Sequence, residues 1–278
     1  KVLKERRLLL KKNKIKLVIK DARNYHVMSR LVTKYNPDYI FHLAAVAHAN
    51  VSNKDPFSTF DHSMRTLENV LDVARGLKKL KRFIFLSSSM VYGQFKKKMV
   101  DEKTICNPLG IYGSLKYGAE KLVVGYNQVF NLPYTIIRPS ALYGPRCVSG
   151  RVIQIFIENL LTGKEIRVSG DGKEKLDFTY IKDFTKGLVL ILKNKKSKNQ
   201  IFNLTFGKSR SINDVIKILR KYFNKTKVKY VPRDKLIPFR GTLSIKKSNK
   251  LFGYKPIYSL EKGLVEYFSW YKNKKNLI

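Results

Sequence analysis

A chain of 278 residues is long enough to bury a sizeable core, and no apolar run in it is long enough to span a bilayer. Lys and Arg number 57 against 20 Asp and Glu, a formal charge of +37, but the basic residues are spread over the whole length. No helix-turn-helix signature, zinc-ligand spacing or stacking-aromatic motif accompanies them, so the excess reads as bias on solvated faces and argues against nucleic acid as a partner. The two cysteines, Cys106 and Cys147, offer no disulfide framework, which makes a reducing cytoplasm the expected compartment.

In chain order, Lys1 to Lys12 is basic and helix-forming, and Ile15 to Ile19 alternates like a strand that ends at Asp21-Ala22-Arg23. His26 to Tyr35 is a helix stopped by Pro37, and Tyr39 to Ala45 is a short apolar run suited to a buried parallel strand. Phe57 to Arg75 has helical period, with Pro56 at its start. Arg82 to Ser88 is a second buried strand, Ile111 to Phe130 a long helix, and Thr135 to Ser140 a third strand. Beyond Tyr143 come a helix from Val152 to Leu161, the turn Gly170-Asp171-Gly172, extended Phe178 to Ile181 and a helix from Lys182 to Leu192. Lys193 to Asn199 is a polar loop, Ile201 to Thr205 a strand, Ser211 to Phe223 a Ser-capped helix, and Leu260 to Tyr271 the closing helix. Strands alternating with helices of this length imply a doubly wound parallel α/β sheet.

One stretch organises the rest: Ile-Tyr-Gly-Ser-Leu-Lys-Tyr-Gly-Ala-Glu-Lys, from Ile111 to Lys121. Tyr112 and Lys116 are four apart and share a helix face, about 6 Å apart along the axis. A phenol with its usual pKa near ~10 is a poor base at neutral pH, and an ammonium beside it favours the phenolate. A drop of about 3 units would correspond to roughly 4 kcal/mol. Such a pair can move a proton on and off a hydroxyl while hydride leaves the same carbon. Tyr117 and Lys121 repeat the spacing, so the surroundings have to decide. Ser87, Ser88 and Ser89 end one predicted strand, His42-Leu43-Ala44-Ala45 another and Arg138-Pro139 a third. The carboxyl ends of parallel strands are where open α/β sheets bind ligands. His42 and His48 lie near a strand end and read as structural hydrogen-bonders.

Taken in order, Asp21, His42-Leu43-Ala44-Ala45, Ser87 to Gly93, Tyr112-Gly113-Ser114-Leu115-Lys116, Arg138-Pro139, Tyr143-Gly144-Pro145, Gly170-Asp171-Gly172 and Asp177-Phe178-Thr179-Tyr180-Ile181 resemble the extended short-chain dehydrogenase/reductases, specifically the NAD-dependent nucleotide-sugar epimerase/dehydratase family. The resemblance runs from about Asp21 to the closing helix. It implies a Rossmann-like NAD-binding domain at 1–143 and 177–206, and a smaller α/β nucleotide-sugar-binding domain at 144–176 and 207–278. By position, Tyr112 is the implied acid/base, Lys116 its activator and ribose anchor, and Ser88 the hydroxyl that orients the reacting sugar oxygen. Asp21 and Ala22 match adenine-edge contacts, and Ala44, Ala45 and Val46 match the wall behind the cofactor. Ser63, Ser87 and Pro139 complete the implied NAD set. The family's homodimer would pair the helices Phe57 to Arg75 and Ile111 to Phe130.

The departures carry information. Asp21-Ala22 follows the first strand where the fold would have a glycine-rich turn, so that strand matches the family's third, and the 278 residues lack a first βαβ unit. On that reading the chain is a fragment, Ile15 to Ile19 has no partner, Tyr39 to Ala45 has a bare edge, and NAD binds weakly or not at all. Ser63 and Ala141 stand where the family often has Asn, and Leu176 where it has Arg. The charge that a sugar diphosphate needs would then come from Arg146, Arg151 or Arg240. Dehydratases of the family place carboxylates just after the Ser88 position, and Ser89 and Met90 supply none. The expected activity is therefore a UDP-sugar 4-epimerisation with NAD. A 4,6-dehydratase, a 4-keto reductase or a non-catalytic basic nucleotide-binding relative are the alternatives.

Overall fold

The computed structural model describes residues 2–273; Lys1 and residues 274–278, which the sequence-based domain ranges include, lie outside them. Helix α1 (Val2–Lys12) is followed by extended chain, α2 (Tyr25–Tyr35) and strand β1 (Tyr39–His42). Two short helices, α3 (Ala49–Lys54) and α4 (Pro56–Phe60), run through a π-turn at Asp61–Arg65 into α5 (Thr66–Arg75). Then come β2 (Arg82–Leu86), β3 (Met99–Val100), α6 (Gly110–Phe130), β4 (Tyr134–Arg138) and β5 (Leu142–Tyr143). The remainder is α7 (Val152–Leu161), β6 (Ile166–Ser169), β7 (Lys175–Leu176), β8 (Thr179–Tyr180), α8 (Ile181–Lys193), β9 (Gln200–Asn203), β10 (Arg210–Ser211), α9 (Ile212–Arg220), β11 (Val228–Val231), β12 (Thr242–Leu243), α10 (Lys246–Phe252) and α11 (Leu260–Lys272).

The main sheet has the order β1-β2-β4-β9 and is parallel throughout, with Tyr39 opposite Arg82, Phe83 opposite Tyr134 and Thr135 opposite Gln200. Both central strands are buried along their whole length, as their unbroken apolar runs require when helices cover both faces. The two-residue period divides them. Phe83, Phe85 and Ile136 point into a core under α5 and α6, and Ile84, Leu86 and Ile137 into one with Phe184 and Ile191 of α8. Phe252 and Tyr254 belong to that second core, so the stretch after residue 207 also packs on the sheet. A third core joins Ile153, Phe156 and Ile157 of α7 to Ile166, Val215, Leu219, Leu264 and Tyr267. Two buried carboxylates tie these parts together. Asp177 accepts hydrogen bonds from the backbone N–H of Leu243 and Gly207 and from the Thr205 hydroxyl, each at 3.1 Å. Asp183 accepts from the N–H groups of Ile257 and Tyr258, at 3.0 and 2.8 Å.

One expected strand is not formed. Ile15 to Ile19 is extended but irregular, and Ile19 is 70% exposed. A strand persists only where a neighbour takes its N–H and C=O groups, and among the described residues the sheet ends at β1. Strand β1 also stops at His42 instead of reaching Ala45, because the chain turns away so that the Val46 N–H can donate to Ser63 Oγ at 3.1 Å. The helix α3, in the polar run Ala-Asn-Val-Ser-Asn-Lys, has no apolar period to betray it.

Candidate active site

Helix α6 is delivered to the strand ends by two local devices. Its N-cap, Leu109, has no side-chain oxygen, and Asn53 of α3 caps it from outside by accepting from the Ile111 N–H at 3.1 Å. At Gly113 the helix comes so close to the next strand end that a Cβ would lie 2.9 Å from the Met90 carbonyl oxygen. Only glycine permits that approach. Beyond the sheet, the Ser87 N–H donates to the Ile137 carbonyl and the Ser89 N–H to the Pro139 carbonyl, which zips the two strand ends together. Ser88 then caps the 3₁₀ turn Ser89–Tyr92, its hydroxyl accepting from the Met90 N–H at 3.1 Å.

The result is a cavity of about 560 Å³, in the range of small-molecule sites, between the strand ends and the third core. Ser88, Tyr112, Arg151 and Arg240 face it, and so do the sequence-predicted Ser87, Pro139 and Ala141. Tyr112 also closes a second, narrow cavity, lined by Ala44, Ala45, Val46, Ser63 and Lys116. One tyrosine is thus the partition between two compartments. Tyr117 packs instead against the small core of Val91, Tyr92, Val100 and Leu243, with the Lys121 ammonium over its ring.

The electrostatics differ from the expected ammonium–phenol pair. Lys116 is buried, its Nζ donates to the Leu86 carbonyl at 2.7 Å, and burial brings its pKa down to about 8 against the opposing pull of Glu120. Burial holds the Tyr112 phenol above its ordinary value; the Ser88 hydroxyl within hydrogen-bond reach, then the charges of Arg151 and Arg240, offset only part of that rise. The cations acting on the phenol are therefore Arg151 and Arg240, which lie far along the chain from helix α6. Beneath the serines, Glu120 accepts two hydrogen bonds from Arg138, at 2.9 and 2.6 Å, and one from the Ser87 hydroxyl; Glu120 and Arg138 are 2% and 3% exposed.

Arg146 does not reach the cavity. Its backbone is left-handed, at φ 66°, and its Nε is paired with Glu5 of α1 at 3.1 Å, so the side chain turns outward. Asp21 and Ala22 lie on neither cavity. Arg23 holds the Asp21 carboxyl down to about 2, and the Ala22 carbonyl accepts from Asn69. His42 is buried beside the Phe83 and Phe85 rings, whereas His48 lies on the larger cavity wall. Sequence reasoning missed Arg167 and Glu174, which line the same wall, and Arg233, whose guanidinium lies 4.0 Å from Glu174 and over the Phe239 ring. They sit on short strands and loops without a motif; the clustering of Arg233 and Arg240 seven residues apart was the available signal.

The sequence model of the NAD-dependent epimerase/dehydratase family matches residues 3–205, most of the chain. The chain belongs to that family. As an NAD-dependent enzyme of this kind it is similar to a UDP-glucuronate 4-epimerase of Thermodesulfobacterium geofontis, 30% identical over 262 residues that cover 93% of this chain and 80% of that one. Among solved structures, a UDP-glucose 4-epimerase of Thermotoga maritima with UDP-glucose superposes with a TM-score of 0.87 at 27% identity, covering 92% and 84% of the two chains. A UDP-glucuronic acid 4-epimerase of Bacillus cereus, in complex with UDP-glucuronic acid and NAD, gives 0.83 at 30% identity, covering 88% and 78%. The Rossmann-like reading of the sheet follows from these likenesses. Among the described residues no helix is long and apolar enough to cross a membrane.

The narrow cavity has polar and small side chains of the kind a nucleotide ribose would meet, but at about 10 Å³ it has room for about one water and does not accommodate a nicotinamide as it stands. Ala44, Ala45 and Val46 form a wall of small side chains on which a flat group can lie close, while the Ser63 hydroxyl, the Lys116 ammonium and the Tyr112 phenol supply polar groups around it.

Proposed function

We propose that this enzyme inverts C4 of a UDP-linked sugar, with Tyr112 as the acid/base and Ser88 as the group that orients the 4-hydroxyl. When bound, NAD supplies the acceptor and donor of hydride. Lys116, Ser63 and the Ala44–Val46 wall are the residues that would meet it. Ser88 Oγ fixes the sugar hydroxyl, and Tyr112 Oη takes its proton as C4 becomes a ketone. Burial opposes loss of the phenol's own proton, and the charges of Arg151 and Arg240 offset part of that opposition. The 4-keto sugar turns over in the wide cavity, and Tyr112 returns the proton to the oxygen on the other face. Arg240, with Arg233 and Arg167 near it, holds the diphosphate.

The observation that carries the reading is Tyr112 standing between the two cavities with Ser88 in reach and no carboxylate beside it. Glu174 is the one acidic residue on the wall among the described residues, and it belongs to the arginine end. Expelling a 6-hydroxyl needs a titratable group near C6. Mass spectrometry of the products is therefore expected to show the 4-epimer and no 4-keto-6-deoxy sugar; accumulation of the latter would make the enzyme a dehydratase.

A homodimer in the cytoplasm is part of the same proposal. Phe57 is 85% exposed, and Phe60, Val129 and Phe130 on α4 and α6 are exposed with it, an apolar set suited to a second copy. A monomer at micromolar concentration in sedimentation would remove the dimer.

A further inference from the structure

The short helix α3 is fastened at one end to Arg151 and at the other to the helix that carries Tyr112. Just before it, the Ala47 carbonyl accepts from Arg151 Nη2 at 2.9 Å, and Ala47, His48, Ala49 and Asn50 form part of the large cavity's wall. Near its C-terminal end Asn53 Oδ1 accepts from the Ile111 N–H at 3.1 Å, one residue before Tyr112. Between these points the turn is locked from within. Ser52 is fully buried and donates to the His48 carbonyl twice, from its N–H at 3.0 Å and from its hydroxyl at 2.9 Å. Arg151 lies 39 residues beyond Tyr112 in the chain, yet a helix of six residues, about 9 Å long, connects their anchor points.

The start of α6 depends on that contact. The first four N–H groups of a helix have no partner within it, and Leu109 supplies no side-chain cap. Gly110 enters the helix at φ 74°, and a Cβ there would lie 3.1 Å from Asn53 Oδ1, so the two segments are in close contact as well as hydrogen-bonded. Asn53 itself is on neither cavity wall and in none of the motifs that carry the family resemblance.

Resting on the epimerase reading, we infer that α3 is a strut that sets the separation of the Arg151 guanidinium and the Tyr112 phenol, with Asn53 as a positioning residue for Tyr112. Without the Oδ1 acceptor the Ile111 N–H has no cap, and the first turn of α6 loses its fixed register against the cavity wall. The phenol then shifts relative to the Ser88 hydroxyl and the arginine together, and proton transfer requires hydrogen-bond reach. Because the charge of Arg151 offsets part of the burial that holds the phenol up, a looser register raises the phenol further.

Steady-state kinetics with UDP-glucose and UDP-glucuronate over a range of pH test this on the unaltered protein, on Asn53→Ala and Asn53→Asp, and on Asn24→Ala. The last removes the side-chain cap of α2 and touches neither cavity wall. Asn53→Ala is expected to lower kcat at least about tenfold with KM within about threefold, and to move the rising limb of kcat to higher pH. Asn53→Asp keeps the acceptor and is expected to recover kcat to within about threefold, while Asn24→Ala leaves kcat and its pH profile in place. An Asn53→Ala enzyme within about threefold of the unaltered one, or no more impaired than Asn24→Ala, overturns the inference and leaves the epimerase reading standing. Magnetic resonance of tyrosine isotope-labelled at the ring Cζ, with Tyr112 assigned by its absence in Tyr112→Phe, needs no turnover. That resonance is expected to move in Asn53→Ala and to stay in Asn24→Ala. If the unaltered protein turns over neither sugar, the epimerase reading fails by itself, and the Tyr112 resonance decides the strut: unmoved in Asn53→Ala, it overturns the strut too.

Discussion

Tyr112→Phe is expected to lower kcat by at least about 10²-fold while leaving the fold intact, because it deletes a proton-transfer group and no core contact. The ring stays on the partition between the two cavities, so substrate affinity should move far less than turnover. A loss concentrated in kcat with little change in KM identifies a group that works in the transition state. Tyr117→Phe is the matched control. Its ring lies in the small core around Tyr92, Val100 and Leu243, away from both cavities. Steady-state kinetics on the two variants decide between them. A Tyr112→Phe enzyme within tenfold of the parent, or a Tyr117→Phe enzyme as impaired as expected for Tyr112→Phe, would mean the wrong tyrosine has been chosen.

Glu120→Ala is expected to cost about 3–5 kcal/mol of stability, the range for removing one partner of a buried ion pair. Arg138 would keep its charge in a site where it is 3% exposed, with its guanidinium over the Tyr92 ring and its Nη1 already without a partner. Removing the carboxylate also strips the Ser87 hydroxyl of its acceptor, at the base of the segment that presents Ser88. Turnover should therefore fall along with stability. Urea unfolding gives the free energy, and the double variant Glu120→Leu/Arg138→Met supplies the check. Removing both charges should be less damaging than removing the carboxylate alone, since no unpaired charge is then left buried. A single-variant loss below about 1 kcal/mol would show that water or a rearranged side chain reaches Arg138 and that the pair does not organise the strand ends.

How much of this was legible beforehand follows from which forces are local. The helix α7 was read at its observed ends and α6 to within a residue, because their periods run for nearly three turns in α7 and more in α6, and neighbouring Gly, Asn or Thr residues end them. The serines after β2 and the four-residue step from Tyr112 to Lys116 were visible for the same reason: both are consequences of spacing along one element. Helix α3 was not, since its reason to be helical is the Asn53 cap it lends to α6, a contact 58 residues away. Nor could Ile15 to Ile19 be settled, because alternation makes a strand only when another strand lies beside it.

In the site, chain order and spacing by themselves pointed to the parallel sheet and to a Tyr/Lys pair on one helix face, while the resemblance of the motifs to the family singled out Tyr112, Lys116, Ser88 and the small residues Ala44 and Ala45. The tertiary structure alone decided the electrostatics. It turned Arg146 toward Glu5 and away from the cavity, aimed the Lys116 ammonium at the Leu86 carbonyl, and brought Arg151 and Arg240, 39 and 128 residues beyond Tyr112, within reach of the phenol. Proximity along a helix is a property of the sequence. The field at a buried phenol is a sum over charges that only the packing of distant segments brings near.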